Sequence, residues 1–248
     1  MNLYYSILFY LIIVKMVKSK IIFLGDSHTQ RGFSDKSPWL GIIANKYVRK
    51  FDILNYGFSG YNSKWINWSK EKIFNDSLLN VVGIVIFIGS NDSTDLVLNQ
   101  LQSVPIDQFI KNYNDILDYL KCMYQNAKVF LISPPPCCEK SYQKHCYLND
   151  KIDCVHFKNV QHYANTVKKI AQYKSCQFID CWSKFVESNN IDILLEDGLH
   201  LNYNGAKLLA TIIIESFEQN FQNLFETGCN WRNVDFLNQK ESLLKEFK

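Results

Sequence analysis

The sequence lacks the charge pattern of a nucleic-acid-binding protein. Its 27 lysines and arginines are nearly balanced by 24 aspartates and glutamates, which leaves a formal net charge of +3, and no long run of like charges forms a basic arm. The sequence also lacks the paired C-x2-C spacing that structural zinc sites commonly use. We therefore expect neither a nucleic-acid partner nor a metal centre.

No apolar run is long enough to cross a bilayer as a helix. Residues Leu3 to Val14 are almost all apolar and have about the length of a signal-peptide core, but no basic residue precedes them and Val17-Lys18-Ser19 is a poor cleavage site. Three interpretations of residues 1–19 stay open: a signal or anchor, an apolar segment that packs on the domain, and an over-extended gene model that should start at Met16. Membrane association is expected only if this segment is an anchor.

The eight cysteines do not indicate a disulfide framework, because the chain is far longer than the small domains that depend on disulfides. One set lies singly among apolar residues, a pattern typical of buried thiols: Cys122, Cys176, Cys181 and Cys229. The other set forms a denser group with two histidines: Cys137, Cys138, Cys146, Cys154, His145 and His156. Adjacent cysteines followed by long gaps match a metal site poorly, so we predict a loop with free thiols here.

The sequence does contain the alternation of short apolar runs and helical stretches that is typical of an α/β protein with a parallel sheet. Apolar residues make up 47% of the chain and aromatic residues 15%, enough for a packed core. The predicted strands are Ile21–Leu24, Ile53–Tyr56, Val81–Ile88, Val129–Ile132 and Gln177–Ile179. The predicted helices are Trp39–Lys50, Ser63–Phe74, Ile106–Tyr124, Val155–Tyr173 and Ala206–Phe221. No repeat or linker interrupts the pattern, so residues 20–248 are predicted to form one domain.

Polar segments follow three of the predicted strands. The first strand leads into Gly25-Asp26-Ser27, the second into Gly57-Phe58-Ser59-Gly60 and the third into Gly89-Ser90-Asn91-Asp92, while Asp197-Gly198-Leu199-His200 follows the last strand. Ligands of open α/β sheets bind at the carboxyl ends of the strands. We therefore expect the first three segments to meet in one crevice and the fourth to fold over it.

The residue types in these segments fit acyl transfer. A serine hydroxyl needs a neighbouring base, and the base needs a third group that orients it. We predict Ser27 as the nucleophile, His200 as the base, because imidazole titrates near neutral pH, and Asp197 as the orienting acid. The backbone N–H groups of Ser27 and Gly60 and the side-chain amide of Asn91 are predicted to form the oxyanion hole.

Each of these motifs alone has an ordinary structural explanation. Gly25-Asp26-Ser27 is also the pattern of a turn that leads into a helix cap, and Asn91-Asp92 and Asp197-x-x-His200 are also patterns of caps. Their combination favours chemistry, because the four segments together fill every role that an acyl-transfer site requires.

The four segments resemble, in the same order, the four blocks of the GDSL, or SGNH, hydrolase family, and the similarity spans about Lys20 to Phe221. Some stretches resemble more narrowly the isoamyl acetate-hydrolysing esterase subgroup: Gly25-Asp26-Ser27-x-Thr29-Gln30, Gly57-Phe58-Ser59-Gly60-Tyr61, Pro134-Pro135-Pro136 and Asp197-Gly198-Leu199-His200. The resemblance implies a three-layer α/β/α flavodoxin-like fold with a five-stranded parallel sheet in the order 2-1-3-4-5. It also implies hydrolysis of short-chain carboxylic esters without a metal or organic cofactor.

Other functions on the same scaffold stay open. Members of such a family act on lysophospholipids, thioesters or acetylated sugars, and a binding protein that has lost activity is a further alternative. The complete set of predicted catalytic residues argues against such a loss. We predict that Phe58 and Tyr61 line the substrate pocket, whereas Trp65 is expected in the core. Oligomeric state is not predicted.

His28 departs from the family pattern, which usually has an apolar residue after the nucleophile. Neighbouring residues rarely direct their reactive atoms at each other, so we expect His28 to pack beside the helix start rather than act as the base. His145, His156 and His162 are expected at the surface. The G-x-S-x-G elbow of α/β-hydrolases is absent from the sequence, which favours Ser27 over Ser59 as the nucleophile.

The cellular compartment is predicted from the glycosylation sequons. Three Asn-x-Ser sequons begin at Asn67, Asn75 and Asn91, and a glycan at Asn91 would block the proposed site. This favours a cytoplasmic enzyme, with the secretory pathway through residues 1–19 as the alternative.

Overall fold

A computed structural model of the chain describes residues 18–74, 78–221 and 234–245. Most of the apolar N-terminal segment, including Met16, lies outside the described residues, and so do Asn75 and Cys229. The predicted alternatives for that segment and the predicted burial of Cys229 therefore stay predictions.

Five parallel strands form one sheet in the order β2-β1-β3-β4-β5, which confirms the predicted topology. The strands are β1 Ser19–Gly25, β2 Phe51–Gly57, β3 Val81–Phe87, β4 Lys128–Ile132 and β5 Gln177–Ile179. Gly25 pairs with Gly57 on one side and with Phe87 on the other. The carboxyl ends of β2, β1 and β3 therefore lie level with one another, which brings the segments that follow them to one edge of the sheet.

Helices cover the two faces of this sheet. Their bounds are α1 Ser27–Gln30, α2 Trp39–Lys46, α3 Ser63–Ile73, α4 Ile106–Met123, α5 Glu139–Leu148, α6 Phe157–Tyr173, α7 Cys181–Val186, α8 Tyr203–Asn220 and α9 Gln239–Lys245, with short 3₁₀ turns at Arg31–Phe33 and Ile191–Leu194. Among the described helices, none combines the length and apolarity that crossing a membrane requires.

The alternation of side chains along the strands divides the core into two layers. On one face, strand residues such as Phe23, Phe87 and Phe130 pack against α2 and α8. On the other face, residues such as Ile22 and Ile86 pack against α3, α4 and α6. Because both faces are covered, the central strands are almost wholly apolar. The predicted three-layer α/β/α arrangement is confirmed.

Helix α1 lies directly against the ends of β1 and β2. A β-carbon on Gly57 would lie 2.0 Å from the Gln30 backbone nitrogen, and one on Gly25 would lie 2.0 Å from Thr29 Oγ1. Asn55 of β2 donates from Nδ2 to the carbonyl of Thr29 at 3.0 Å. The glycines that end both strands thus give the short helix the room that it needs to begin immediately after the sheet.

Two predicted helices differ from the observed ones by three or more residues at an end, and the other three differ by one or two. Helix α2 stops at Lys46 instead of Lys50, because the chain turns so that the ring of Tyr47 stacks on Phe51 with centroids 4.6 Å apart. Helix α8 begins at Tyr203 instead of Ala206, since Asn202 Oδ1 accepts hydrogen bonds from two N–H groups of its first turn. Side-chain caps and tertiary stacking decided these ends rather than apolar periodicity.

The prediction of a loop across the dense cysteine group was wrong, because residues 139–148 form α5. Only Cys146 is fully buried on this helix, so the helix shows too little apolar periodicity to be recognised. The four cysteines of the group are free thiols, as predicted. The expectation of a buried thiol is confirmed for Cys181 but wrong for Cys122, which is exposed.

We expect Gly57→Ala to destabilise the fold by about 1–3 kcal/mol, because the new methyl group would meet backbone atoms of Gln30 that no rotamer change can move. The measurement is the free energy of unfolding in urea. The matched control is Gly41→Ala in α2, where the nearest atoms are 3.9 Å away and where alanine should add about 0.5–1 kcal/mol. A Gly57→Ala protein as stable as the wild type would contradict this account of α1.

Candidate active site

Ser27 is the first residue of α1 and is 7% exposed. Asp26 precedes it and caps the helix, with Oδ1 accepting a hydrogen bond from the His28 N–H at 2.9 Å. The other side of α1 is tied to α2, since Trp39 Nε1 donates to the carbonyl of His28 at 2.9 Å. The serine is therefore held at the carboxyl edge of the sheet by contacts to its own cap and to a second helix.

His200 connects Ser27 to Asp197. The Ser27 Oγ and His200 Nε2 atoms are 3.0 Å apart, and His200 Nδ1 is 2.8 Å from Asp197 Oδ2. The carboxylate accepts, so Nδ1 carries the proton and Nε2 is left to accept from the serine hydroxyl. This is the arrangement of a serine nucleophile, a base and an orienting acid.

Asp197 also shapes the loop that it shares with His200. Its Oδ1 accepts hydrogen bonds from the N–H groups of Leu199 at 3.0 Å and His200 at 2.7 Å. Burial alone would raise the pKa of Asp197, but the hydrogen bonds from the His200 ring and from these backbone N–H groups outweigh burial and hold the pKa well below its usual value. The carboxylate is therefore charged at neutral pH.

Gly198 makes this tight loop possible. Its φ is +83°, a region that side chains disfavour, and a β-carbon there would lie 2.2 Å from the Tyr142 backbone nitrogen. The Gly198 carbonyl accepts a hydrogen bond from the N–H of Cys138 at 2.8 Å. The start of α5 thus supports the loop from behind, a contribution that the sequence analysis missed because it predicted no helix there.

The two other predicted oxyanion residues lie on neighbouring segments. Gly60 sits in a turn with φ of +81°, and Asn91 Nδ2 donates to the carbonyl of Tyr61 at 2.8 Å, beside that turn. The N–H of Phe58 donates to the carbonyl of Gly25 at 2.9 Å, which ties the same turn to the strand that precedes Ser27. The structure therefore brings these segments together, and their role as oxyanion donors remains a prediction.

Aromatic side chains continue from this turn. The rings of Phe58 and Tyr61 are 5.2 Å apart, and Tyr61 meets the edge of Trp65 at 5.6 Å. All three are half-buried, so Trp65 is not the fully buried core residue that the sequence predicted. Contact of Phe58 and Tyr61 with a substrate stays a prediction.

Comparison with known proteins identifies the family of the chain. A model of the GDSL-like lipase/acylhydrolase family matches residues 23–208, a range that contains Ser27, Gly60, Asn91, Asp197 and His200. The chain belongs to this family. The family consists of carboxylic ester hydrolases, so the predicted enzyme class is confirmed.

Relatives of this GDSL hydrolase agree with the narrower resemblance. The isoamyl acetate-hydrolyzing esterase 1 homolog of Rattus norvegicus is 32% identical over 230 residues, covering 91% of this chain and 92% of the relative. The homolog of Homo sapiens is 31% identical over 232 residues with the same two coverages. The lipase/acylhydrolase from Enterococcus faecalis shares the fold, with a TM-score of 0.66 at 18% identity over 82% of this chain and 96% of that one.

His28 packs inside this GDSL hydrolase rather than at its surface. It is 2% exposed, and its ring lies 5.4 Å from that of Phe87 and 5.6 Å from that of His200. Neither ring nitrogen has a hydrogen-bond partner among the described residues. Burial, with the nearby His200, lowers the pKa of His28 to about 3. The ring is therefore neutral at neutral pH and does not contact Ser27 as a base, in agreement with the expectation that it packs beside the helix start.

The other histidines lie farther out. His162 is exposed, whereas His145 and His156 are half-exposed. In the described residues, no group of three or more His, Cys, Asp or Glu side chains is arranged to hold a metal ion.

Two buried carboxyl groups accompany the site, and sequence reasoning assigned neither a role. Asp26 is 1% exposed, and within the part of the chain that the structure describes its Oδ2 has no hydrogen-bond partner. Asp92 is fully buried and accepts from the N–H of Ser63 at 2.9 and 3.1 Å, which joins the segment after β3 to the start of α3. Burial raises the pKa of each carboxyl to about 7. The sequence could have indicated these two carboxyl groups, because Asp26 directly precedes Ser27 and Asp92 directly follows Asn91.

The raised pKa of Asp26 predicts a pH-dependent stability. The unfolded carboxyl loses its proton near pH 3.8, whereas the folded one keeps it to about pH 7, so the wild type loses stability as the pH rises between these values. Asp26→Asn preserves the cap through Oδ1 and removes the titration. Its stability relative to the wild type should therefore rise across that interval, by a few kcal/mol in order of magnitude, and level off above it.

The measurement is urea denaturation of both proteins at a series of pH values from 4 to 8. Asp35→Asn, at an exposed position, is the matched control and should leave the pH dependence unchanged. A stability difference between wild type and Asp26→Asn that stays constant over this range would refute the account of the buried carboxyl.

Proposed function

We propose that this GDSL hydrolase cleaves short-chain carboxylic esters of the acetate type through a covalent acyl-enzyme. Ser27 is the nucleophile, His200 is the base and Asp197 orients the base. The observation that carries the proposal is the pair of hydrogen-bond distances that join these side chains, 3.0 Å from Ser27 Oγ to His200 Nε2 and 2.8 Å from His200 Nδ1 to Asp197 Oδ2.

The first half of the reaction forms the acyl-enzyme. Ser27 Oγ attacks the carbonyl carbon while its proton moves to His200 Nε2, and the carbonyl oxygen becomes an oxyanion. Asp197 stabilises the imidazolium that results. The tetrahedral intermediate then collapses, the bond to the leaving alcohol breaks, and His200 gives its proton to that alcohol.

The second half releases the acid. A water molecule loses a proton to His200 Nε2 and attacks the acyl carbon. As the second tetrahedral intermediate collapses, the bond between the acyl carbon and Ser27 Oγ breaks, His200 returns the proton to Oγ, and the acid leaves. In both halves the oxyanion accepts hydrogen bonds from the N–H groups of Ser27 and Gly60 and from the amide of Asn91. The Asn91 amide uses one of its two N–H groups on the Tyr61 carbonyl, so the second remains for the substrate.

A small acyl group is favoured by three features. Ser27 is only 7% exposed, the half-buried rings of Phe58 and Tyr61 lie on the turn that holds Gly60, and the relatives of rat and human are named as isoamyl acetate-hydrolyzing esterase homologs. Apolar rings around a few fixed polar groups are typical of sites for small molecules.

The sequons bear on the compartment, for which we propose the cytoplasm. The amide of Asn91 is hydrogen-bonded to Tyr61, and that of Asn67 lies 3.3 and 3.2 Å from oxygens of Asn112 and Asp115. A glycan on either amide nitrogen would disturb these contacts inside the fold. This supports a protein whose asparagines stay unmodified.

We expect the full-length protein to hydrolyse p-nitrophenyl acetate faster than the butyrate and the butyrate faster than the octanoate, measured as kcat/KM. Ser27→Ala should lower kcat by about 10⁵-fold or more without unfolding the protein, since a triad acts as a unit. Ser69→Ala removes a hydroxyl that donates to carbonyls of its own helix; this variant is the matched control and should retain activity.

Each alternative function has its own outcome in this series. Preference for octanoate would replace the short-chain proposal with a lysophospholipase-like one, and activity restricted to acetylated sugars or thioesters would name a different ester class. A folded wild type without activity on any of them indicates a binding protein. Near-normal hydrolysis by Ser27→Ala would reject Ser27 as the nucleophile.

A further inference from the structure

The turn that contains Gly60 has little backbone support of its own. The N–H of Phe58 bonds to the Gly25 carbonyl at 2.9 Å, and the N–H of Tyr61 bonds back to the Phe58 carbonyl at 3.0 Å. Ser59 is exposed, and a glycine with positive φ is costly to order. An oxyanion donor must nevertheless be fixed before the reaction, because its benefit depends on preorganisation.

Three side-chain amides hold consecutive residues of this turn. Gln30 Oε1 accepts from the Ser59 N–H at 2.7 Å, Gln102 Nε2 donates to the Gly60 carbonyl at 2.9 Å, and Asn91 Nδ2 donates to the Tyr61 carbonyl at 2.8 Å. They come from α1, from the end of the segment before α4 and from the segment after β3. The peptide N–H of Gly60 therefore lies between the Ser59 N–H and the Gly60 carbonyl, and each of these groups is hydrogen-bonded to a side-chain amide from a distant segment.

Gln102 is itself oriented by its neighbours. Its Oε1 accepts from Asn99 Nδ2 at 2.9 Å, so its Nε2 is directed to the Gly60 carbonyl. Its own carbonyl accepts from Asn62 Nδ2 at 2.7 Å. A β-carbon on Gly60 would lie 3.3 Å from Gln102 Nε2, which shows how closely the amide approaches the turn.

The segment that holds Gln102 is anchored at both ends. The N–H of Asp95 donates to the Cys154 carbonyl at 2.8 Å, and the N–H of Val104 donates to the carbonyl of Asp92 at 3.0 Å. Asp92 also holds the start of α3. The amide of Gln102 therefore extends from a fixed base to the turn.

We propose that Gln102, oriented by Asn99, is a positioning residue that holds the Gly60 N–H in place for the oxyanion. The proposal rests on the proposed function, because it assigns a support to a donor of that reaction. Gln102 contacts neither the substrate nor the reacting atoms. It acts on the transition state, in which the oxyanion develops, and leaves binding of the ground-state ester almost unchanged.

The experiment compares Gln102→Leu, Gln102→Glu and Asn99→Ala with the wild type on p-nitrophenyl acetate. Gln102→Leu should lower kcat by about 10- to 100-fold with KM within about three-fold of the wild type, since a small displacement of a catalytic group has an effect of this size. Gln102→Glu should lower kcat further, because a carboxylate oxygen would face the Gly60 carbonyl oxygen and repel it. Asn99→Ala keeps the Gln102 amide but removes the Asn99 donor that orients it, so kcat should fall less than in Gln102→Leu.

A second readout separates positioning from general loss of structure. A trifluoromethyl ketone forms a hemiketal with Ser27 Oγ, the serine proton moves to His200 and the ketone oxygen becomes an oxyanion. Its inhibition constant should weaken in the Gln102 variants by the same factor as kcat/KM, while the thermal midpoint changes little. Gln100→Leu, at an exposed position of the same segment, is the matched control and should behave as the wild type in both assays.

The outcomes distinguish the two proposals. In one outcome the wild type is active, and the folded Gln102→Leu and Asn99→Ala variants keep kcat within two-fold of that of Gln100→Leu. This result would overturn the role of Gln102 and leave the proposed function intact. Loss that appears only in KM or in thermal stability would overturn it as well. A wild type that neither hydrolyses esters nor binds the ketone would overturn the proposed function and this proposal with it.

Discussion

Asp197 holds the loop that ends at His200 through both of its carboxylate oxygens. One oxygen binds the backbone N–H groups of Leu199 and His200, and the other binds His200 Nδ1. The same carboxylate therefore sets the course of the backbone, the direction of the ring and the tautomer that leaves Nε2 for Ser27. Because of these contacts, Asp197 can orient His200 although only three positions separate them. Gly198 lies between them and supports the loop through its positive φ and its contact with α5, although it has no side chain.

Ser27 lies between two buried ionisable side chains. Ser27 is flanked by Asp26, whose pKa is raised to about 7 by burial, and by His28, whose pKa burial lowers to about 3. Near neutral pH, His28 is therefore neutral and Asp26 is about half protonated, whereas Asp197 on the opposite loop is charged. A dry, sparsely charged surrounding strengthens hydrogen bonds to a developing oxyanion. In the described ranges, Asp26 Oδ2 and both ring nitrogens of His28 have no hydrogen-bond partner, and burying such polar atoms lowers the stability of the fold.

The alternation of apolar runs and helical stretches predicted the parallel sheet, the resemblance to the GDSL family implied its strand order, and polar motifs after three strand ends indicated where the candidate site would lie. Ser27 and His200 are 173 residues apart. Strand topology indicated only that Ser27 would lie at the crevice, whereas the complete set of acyl-transfer residues and the family resemblance indicated that His200 would join it. Single positions without a pattern were not predictable in this way. Helix α5 buries only Cys146 completely, and the burial of His28 and the contact of Gln102 with Gly60 depend on how segments fold over one another. The hydrophobic periodicity of a sequence does not predict contacts of this kind.

The most direct test of Ser27 as an activated nucleophile is covalent labelling with an alkyl fluorophosphonate, followed by mass spectrometry of the digested protein. The account predicts a single adduct on the peptide that contains Ser27, formed in step with the loss of esterase activity and much more slowly in Asp197→Asn, because the orienting carboxylate is then missing. An adduct on any other residue, or full inactivation without modification of Ser27, would contradict it.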